Sequence, residues 1–427
     1  MTAAEPSGGT RARWIGAGYA AQGLGYAAVV TALPMFKERQ GLDDALVSAI
    51  LLLVVVAAAG GSLVADAVAA RWGSRFALAG GLITIGVALG LTTFHTPTAV
   101  FVAVLIAYGV GLGTVDASLS MQGVLVQARL GRSVMNRLFA AYTAAAFIAA
   151  LLMSAFVASG AGAGVAVGVA GGFAVLVALA GWRGYEPART VMPDLTGHRH
   201  PRDGSRRVVL VCGALIFTAF LADSAVSTWS SVYLHDSLLA ADSVAPLGYA
   251  AYQVAVLVSR LVGDHVVPRT GVVAAAGASL LVCAVGCGLV VAVPSVAVAV
   301  TGFALTGLGV GVLVPLAFSA AGHAVPGNSD EVIARVNLFN YGGALIGAVL
   351  LGLLSEPVGL RIAFLVPVLG LLLTLPDHRR GALAGGAVKA RTGYGIRPAR
   401  SVRRRQRRSR WSTPSGSAHF RCCRRRR

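Results

Sequence analysis

Charged side chains are scarce in this chain of 427 residues: Asp, Glu, Lys and Arg make up 12%, against 56% hydrophobic. That scarcity excludes a water-soluble globule of this size, whose surface so few charges could not cover. Cysteine is equally thin. Cys212, Cys283 and Cys287 lie inside apolar runs and Cys422 and Cys423 stand near the last residue, which excludes a disulfide framework and a metal-ligand spacing. Cys283 and Cys287, one helical turn apart, read as core packing. The eight His are scattered, so no metal or other cofactor is expected, and a membrane enzyme built on clustered His and acids is disfavoured. A phosphate-binding loop of the Walker type is missing, which removes ATP as a direct drive. After Arg13 the first apolar run is far longer than the core of a signal peptide, so no cleavable leader is expected.

Long apolar runs are what the chain does contain. Twelve of them, at about 20 residues each long enough to cross about 30 Å of hydrocarbon as a helix, fall at 14–36, 45–69, 76–95, 99–123, 133–157, 162–181, 208–234, 245–266, 272–292, 296–321, 332–354 and 359–375. A helix satisfies its own backbone hydrogen bonds, the condition for lying in a lipid bilayer. The basic excess does not point to nucleic acid. Of the net charge of +19, residues 376–427 hold 17 basic side chains and one acid, a net of +16, which leaves the body nearly neutral at +3. This tail has neither helical period nor cap and is expected to be disordered. Binding to anionic lipid headgroups and translation of a shifted reading frame in a GC-rich gene are both open readings of it.

The chain also repeats itself. Leu63, Val64, Asp66, Val68, Arg71 and Gly73 recur as Leu261, Val262, Asp264, Val266, Arg269 and Gly271, at a constant offset of 198. The same offset carries Gly109, Gly111 and Gly113 onto Gly307, Gly309 and Gly311. Two motifs in one register indicate a duplicated half. The expected layout is a six-helix half over 1–181, a linker over 182–207, a second six-helix half over 208–375 and the tail over 376–427. Arg and Lys side chains crowd the loops on the side of the termini and the linker, including Arg11, Arg13, Arg71, Arg75, Arg129 and Arg132. On the opposite side Lys37 and Arg39 are offset by Glu38, Asp43 and Asp44. The positive-inside bias then puts both termini and the linker in the cytoplasm. An even number of spans per half makes the halves parallel repeats, a symmetry tied to transporters with a site near mid-membrane.

The loop after the second span, its copy after the eighth and the six-plus-six layout resemble the major facilitator superfamily, over roughly residues 12 to 375. Three local patterns resemble its fucose-permease-like branch and related bacterial inner-membrane members: GVGLGTVDASLSMQGVLVQ from Gly109 with GRSVMNRLFAAY from Gly131, ADSAVSTWSSVYL from Ala222, and VPLAFSAAGHA from Val314. Four positions depart from that pattern. Ala70 stands where the family carries an acid before the Arg, Ser120 for an Asn, Gln127 for a Glu and Phe139 for a His. The resemblance implies an all-α membrane protein of the major facilitator fold, a monomer in the bacterial cytoplasmic membrane. It further implies that Asp66, Arg71, Asp264 and Arg269, joined by Arg75 and Arg260, latch the cytoplasmic side in one conformational state.

Several residues could carry the chemistry of transport. Asp116 lies near the middle of the fourth run, where a carboxylate costs roughly 2.5 to 3.5 kcal/mol to insert. It shares a helix face with Gly109, Gly113 and Ser120 and is a candidate proton carrier or substrate ligand; a buried acid satisfied by a neighbouring helix is the competing reading. Asp223, in the middle of the seventh run with Ser227 and Ser230 on its face and Trp229 beside it, could hold a polyol while the indole stacks on C–H faces. Tyr19, Gln22 and Tyr26 form one polar stripe and Asn337, Asn340 and Tyr341 another, in spans that line the cavity in the superfamily. Tyr252, Gln253, Asn136, Tyr142 and Thr143 are weaker candidates. Gly109, Gly111 and Gly113 read as helix-packing glycines, because no strand precedes them as a dinucleotide fingerprint requires. The expected function is secondary active transport of a small hydrophilic solute, sugar-like or a related metabolite, coupled to protons. A drug or metabolite exporter of the same superfamily is the alternative.

Overall fold

The computed structural model describes residues 8–130, 134–187, 203–324 and 329–376; the basic tail, and with it both readings of that tail, lies outside them. Helix α1 (Gly8–Thr31) leads into a short α2 (Leu33–Gln40), followed by α3 (Asp44–Trp72), α4 (Ser74–Thr92), α5 (Thr98–Leu130), α6 (Met135–Ala158) and α7 (Ala163–Gly181). The second set is α8 (Asp203–Val232), α9 (Ala245–Thr270), α10 (Val272–Ala292), α11 (Val296–Ala324), α12 (Ser329–Ala363) and α13 (Leu365–Thr374). Among the described residues every regular element is helical, and ten helices are long and apolar enough to cross a membrane by length and composition. Helix α1 and the stretch after Gly359 stand in the places of the first and twelfth expected spans. The eleventh and twelfth spans meet at Gly359, which takes φ 80° inside α12, and the twelfth follows as the last turn of α12 and then α13. Helix α8 starts at Asp203, five residues before the apolar run at 208, and continues through a π-helical turn over Tyr233–Ser237.

Local chemistry sets the ends of these helices. Asp43 caps α3 by accepting a hydrogen bond from the Leu46 amide at 2.7 Å. Gly73 and Gly271, equivalent in the repeat, join α3 to α4 and α9 to α10 at φ 102° and 85°, a region closed to most side chains. The Gly73 amide bonds the Ala69 carbonyl and the Gly271 amide the Val267 carbonyl, again equivalent positions.

Between helices, glycine decides where backbones can touch. A Cβ on Gly109 or Gly113 would strike the carbonyl oxygens of Val54 and Ala58 in α3, and one on Gly111 would meet Ile85 of α4. In the second set, Gly307 and Gly311 approach Tyr252 and Val256 of α9, while Gly309 approaches Ser279 of α10. The duplicated glycines thus do the same work twice, letting one helix lie against two others with its peptide planes in contact. In the pair α1 with α6, Gly23 faces the Tyr142 carbonyl; in the equivalent pair α8 with α12, Gly343 and Gly347 on the other partner face the Phe217 and Leu221 carbonyls.

Short connections make successive spans antiparallel, so the bundle has a terminal face, on the side of Gly8, and a distal face. The apolar core is divided accordingly. One cluster runs through the first six spans and continues into the distal parts of the second six, taking in Val226, Trp229, Tyr233, Phe303, Leu351 and Phe364. A separate cluster fills the terminal part of the second set, with Leu215, Leu280, Cys283, Cys287, Leu313 and Leu371. The two repeats share a core on the distal side and not on the terminal side.

Gly113→Ala is expected to destabilise the protein by about 1 to 3 kcal/mol through overpacking. Gly80→Ala, with open space around its Cβ, should leave stability unchanged or slightly raised. Thermal unfolding of the purified variants measures both, and equal melting temperatures for the two would contradict this packing.

Candidate functional site

Two carboxylates inside the bundle anchor the polar region between the repeats. Asp116, in the middle of α5, accepts a hydrogen bond from Gln22 Nε2 of α1 at 3.1 Å. It is exposed although protein surrounds it on the scale of neighbouring helices, so it faces an internal opening and not lipid. Ser120, one turn on, bonds the Asp116 carbonyl at 3.0 Å. Tyr19 lies beside Asp116, and its ring meets Phe139 edge-on with centroids 5.3 Å apart.

Asp223, on α8, accepts a short hydrogen bond from the Tyr252 phenol of α9. Tyr26 of α1 faces Asp223 and Thr228, and Tyr142 of α6 lies within electrostatic reach of Asp223, Tyr26 and Tyr249. The Tyr249 hydroxyl accepts from Gln253 Nε2 on the same helix. Phenols from α1, α6 and α9 thus converge on one carboxylate. Neither Asp116 nor Asp223 makes an ion pair among the described residues.

Arg260 joins this cluster, not the gate in which the motif reading had placed it. Its Nη1 donates to Thr143 Oγ1 of α6 at 3.0 Å and its charge reaches Asp223. The physical reason is depth. Arg260 is the sixteenth residue of the 26-residue α9, about 15 Å short of its terminal end at 1.5 Å per residue. The repeat carries a signal for this: at the 198-residue offset Arg260 corresponds to Ser62, so it is not part of the duplicated loop.

The remaining expected residues divide. Gln22 is buried, Tyr26 half-buried and Tyr341 59% exposed. Asn340 is half-buried and has a partner; the side chains of Asn337 and Asn136 lie outside the described residues. Trp229 does not line the opening. It is fully buried, with Nε1 donating to the Ala348 carbonyl at 2.8 Å and its ring against Gly352, which makes it a brace between α8 and α12.

On the terminal face the expected pair of Asp66 with Arg71 is not formed among the described residues. Asp66 is exposed and without an ion partner, and Arg71 lies over the Trp72 ring at 5.1 Å. Arg75 lies over Phe76 and Trp182 at 5.0 and 5.1 Å, and Arg269 Nη1 donates to the His265 carbonyl at 3.2 Å. The Asp264 side chain lies outside the described residues. The distal face, by contrast, is bridged. Lys37 of α2 contacts both Asp44 of α3 and Asp236 of the second repeat. Burial would favour the neutral amine of Lys37, but the Asp236 and Asp44 carboxylates outweigh it and raise its pKa. His235 stands 3.6 Å from Glu38, 3.2 Å from Asp242 and 2.6 Å from Asp236, and Ser154 Oγ donates to the Ser243 carbonyl at 2.6 Å.

One network was not anticipated from the sequence. Glu186, just past α7 and 1% exposed, binds Arg129 Nη2 at 2.6 Å and lies 3.6 Å from Arg11 Nη1. Gln122 bonds both its amide and its carbonyl, at 2.7 and 2.9 Å. The available signal was an amide placed among the apolar residues of the fourth run, with an acid directly before Pro187.

The sequence profile of the Major Facilitator Superfamily matches residues 212–411. An uncharacterised MFS-type transporter of Yersinia pestis is 28% identical over 380 residues, which cover 84% of this chain and 92% of that protein. Among solved structures, the nucleoside transporter NupG is similar with a TM-score of 0.69 at 12% identity, over 87% of this chain and 99% of NupG. FucP in its outward conformation gives 0.57 at 14% identity, over 86% of this chain and 98% of FucP. At these identities the likeness to the two structures is one of fold.

Glu186→Gln, which removes the buried carboxylate that Arg129 and Arg11 share, should cost about 3 kcal/mol. Asp66→Asn, at an exposed site, should stay within about 0.5 kcal/mol of the parent. The melting temperatures of the purified proteins test the contrast, and a loss at Asp66 as large as at Glu186 would contradict it.

Proposed function

Because the chain belongs to the major facilitator superfamily, we propose that it moves a small hydrophilic solute, sugar-like or a related metabolite, across the cytoplasmic membrane by alternating access, coupled to protons. The observation that carries this reading is the pair of intramembrane carboxylates, one in each repeat, each held by a neutral donor: Gln22 for Asp116 and Tyr252 for Asp223. A carboxylate without a cationic partner can take up and release a proton without breaking an ion pair. The phenol and amide groups around both acids supply the hydrogen-bonding surface that a hydroxylated solute needs. The two-sided asymmetry supports the cycle: Lys37 bridges the two repeats on the distal face, while among the described residues no ion pair joins them on the terminal face, where Glu186 pairs with Arg129 and Arg11 inside the first repeat. Such a pattern fits a bundle open toward its termini, and the excess of basic loops on that side makes it the cytoplasmic one.

Uptake of a solute into vesicles under an imposed pH gradient is the test. Gradient-driven uptake should collapse in both Asp116→Asn and Asp223→Asn. Transport that ignores the gradient and survives both substitutions would sink the coupling.

A further inference from the structure

We infer that the transported solute carries a carboxylate, and that Arg260 is the residue that binds it. The inference rests on reading the polar region between the repeats as the transport site, and it names the class of solute. Arg260 lies three residues inside the terminal end of the apolar span Ala245–Gly263 and is half-buried against α6, where a charge is better held with a partner than without one. The protein supplies little of one. The guanidinium has five N–H donors, yet its one hydrogen bond among the described residues is to the Thr143 hydroxyl, and no carboxylate forms an ion pair with it. None of its nitrogens is among the buried atoms left without a partner, so the free donors open onto solvent.

Other arginines of the bundle are engaged structurally. Arg39 donates to the Thr92 carbonyl at the end of α4, and Arg361 to the Val291 and Ala292 carbonyls at the end of α10. Arg11 and Arg129 share Glu186. Arg260 differs in facing a neutral hydroxyl, while Asp223, an acid its charge reaches, is held by Tyr252. Its charge is tempered by that acid and not consumed by it. A planar fork of donors in a partly dry site matches a carboxylate bidentately. Beside it, the half-buried Tyr142, one residue before Thr143, offers a hydroxyl to the rest of the solute, with Tyr249 and Tyr252 fully buried behind, the chemistry of a small hydroxylated acid such as a sugar acid. Ser62 at the equivalent place in the first repeat means that duplication alone did not put the charge there.

The test is the melting temperature of the purified full-length protein in detergent with gluconate, galacturonate or lactate, each against glucose, galactose or glycerol, with sodium chloride matching ionic strength. At least one acid should raise it while its neutral counterpart and the chloride control do not. Arg260→Gln should weaken that acid by about tenfold or more, and Arg260→Lys should bind it between the two. The lysine variant also serves if the glutamine variant does not fold. Equal shifts from neutral sugars, a shift that survives Arg260→Gln, or no shift from any acid overturns the inference. Binding of a neutral sugar would do so while leaving the transport reading standing. Binding of an acid without gradient-driven uptake would do the reverse.

Discussion

Hydrocarbon gives helices no solvent from which to flee, so they are held together by how closely their surfaces fit. In this chain the fit depends on peptide planes touching where glycine leaves out a side chain. Gly113 against Ala58 and Gly311 against Val256 are the two copies of one such contact, and Gly111 with Gly309 tie in a third helix each time. Everything polar in the interior is positioned from these seams. Asp116 sits three residues past Gly113 on the same α5 face, so the backbone contact with α3 fixes the side from which α1 and its Gln22 must approach.

The same economy explains why the repeats are joined unequally. Apolar side chains of both repeats merge on the distal side, where Trp229 and Gly352 meet Ser48 of α3. On the terminal side the second repeat keeps a core of its own. A shared core on one side and separate cores on the other make the distal seam the place where the two repeats are packed together, and leave Asp116, Asp223 and Arg260 between them.

Much of this was legible in residues. Helix positions followed from apolar run length, and the repeat followed from an offset that held across two motifs; the structure uses both Gly73 and Gly271 for one turn and both glycine trios for one packing task. Asp116 and Asp223 stood out because a carboxylate inside an apolar run needs a reason. What was not legible was direction. Proximity in sequence put Trp229 beside Asp223, yet its indole N–H bonds the Ala348 carbonyl of α12, which comes close where Gly352 leaves out a side chain. Motif proximity put Arg260 with the loop charges, although helix rise carries it well inside. Glu186 looked like linker because its partners, Arg11 and Arg129, lie far from it in sequence. Where the second repeat departs from the first in charge, as at Ser62 and Arg260, the duplicated motif no longer says where the side chain goes.

The bridge at the distal face has one more property. Lys37 touches two carboxylates that belong to different bodies: Asp44, seven residues away in its own repeat, and Asp236 across the seam. Were the repeats to part there, the ammonium would travel with Asp44 and remain neutralised, and Asp236 would keep His235 at 2.6 Å. Each carboxylate keeps a hydrogen-bonding partner on its own side, and with His235 protonated a counter-ion as well. The contact would then leave no bare charge if broken, which makes this edge a link with a low electrostatic cost of separation.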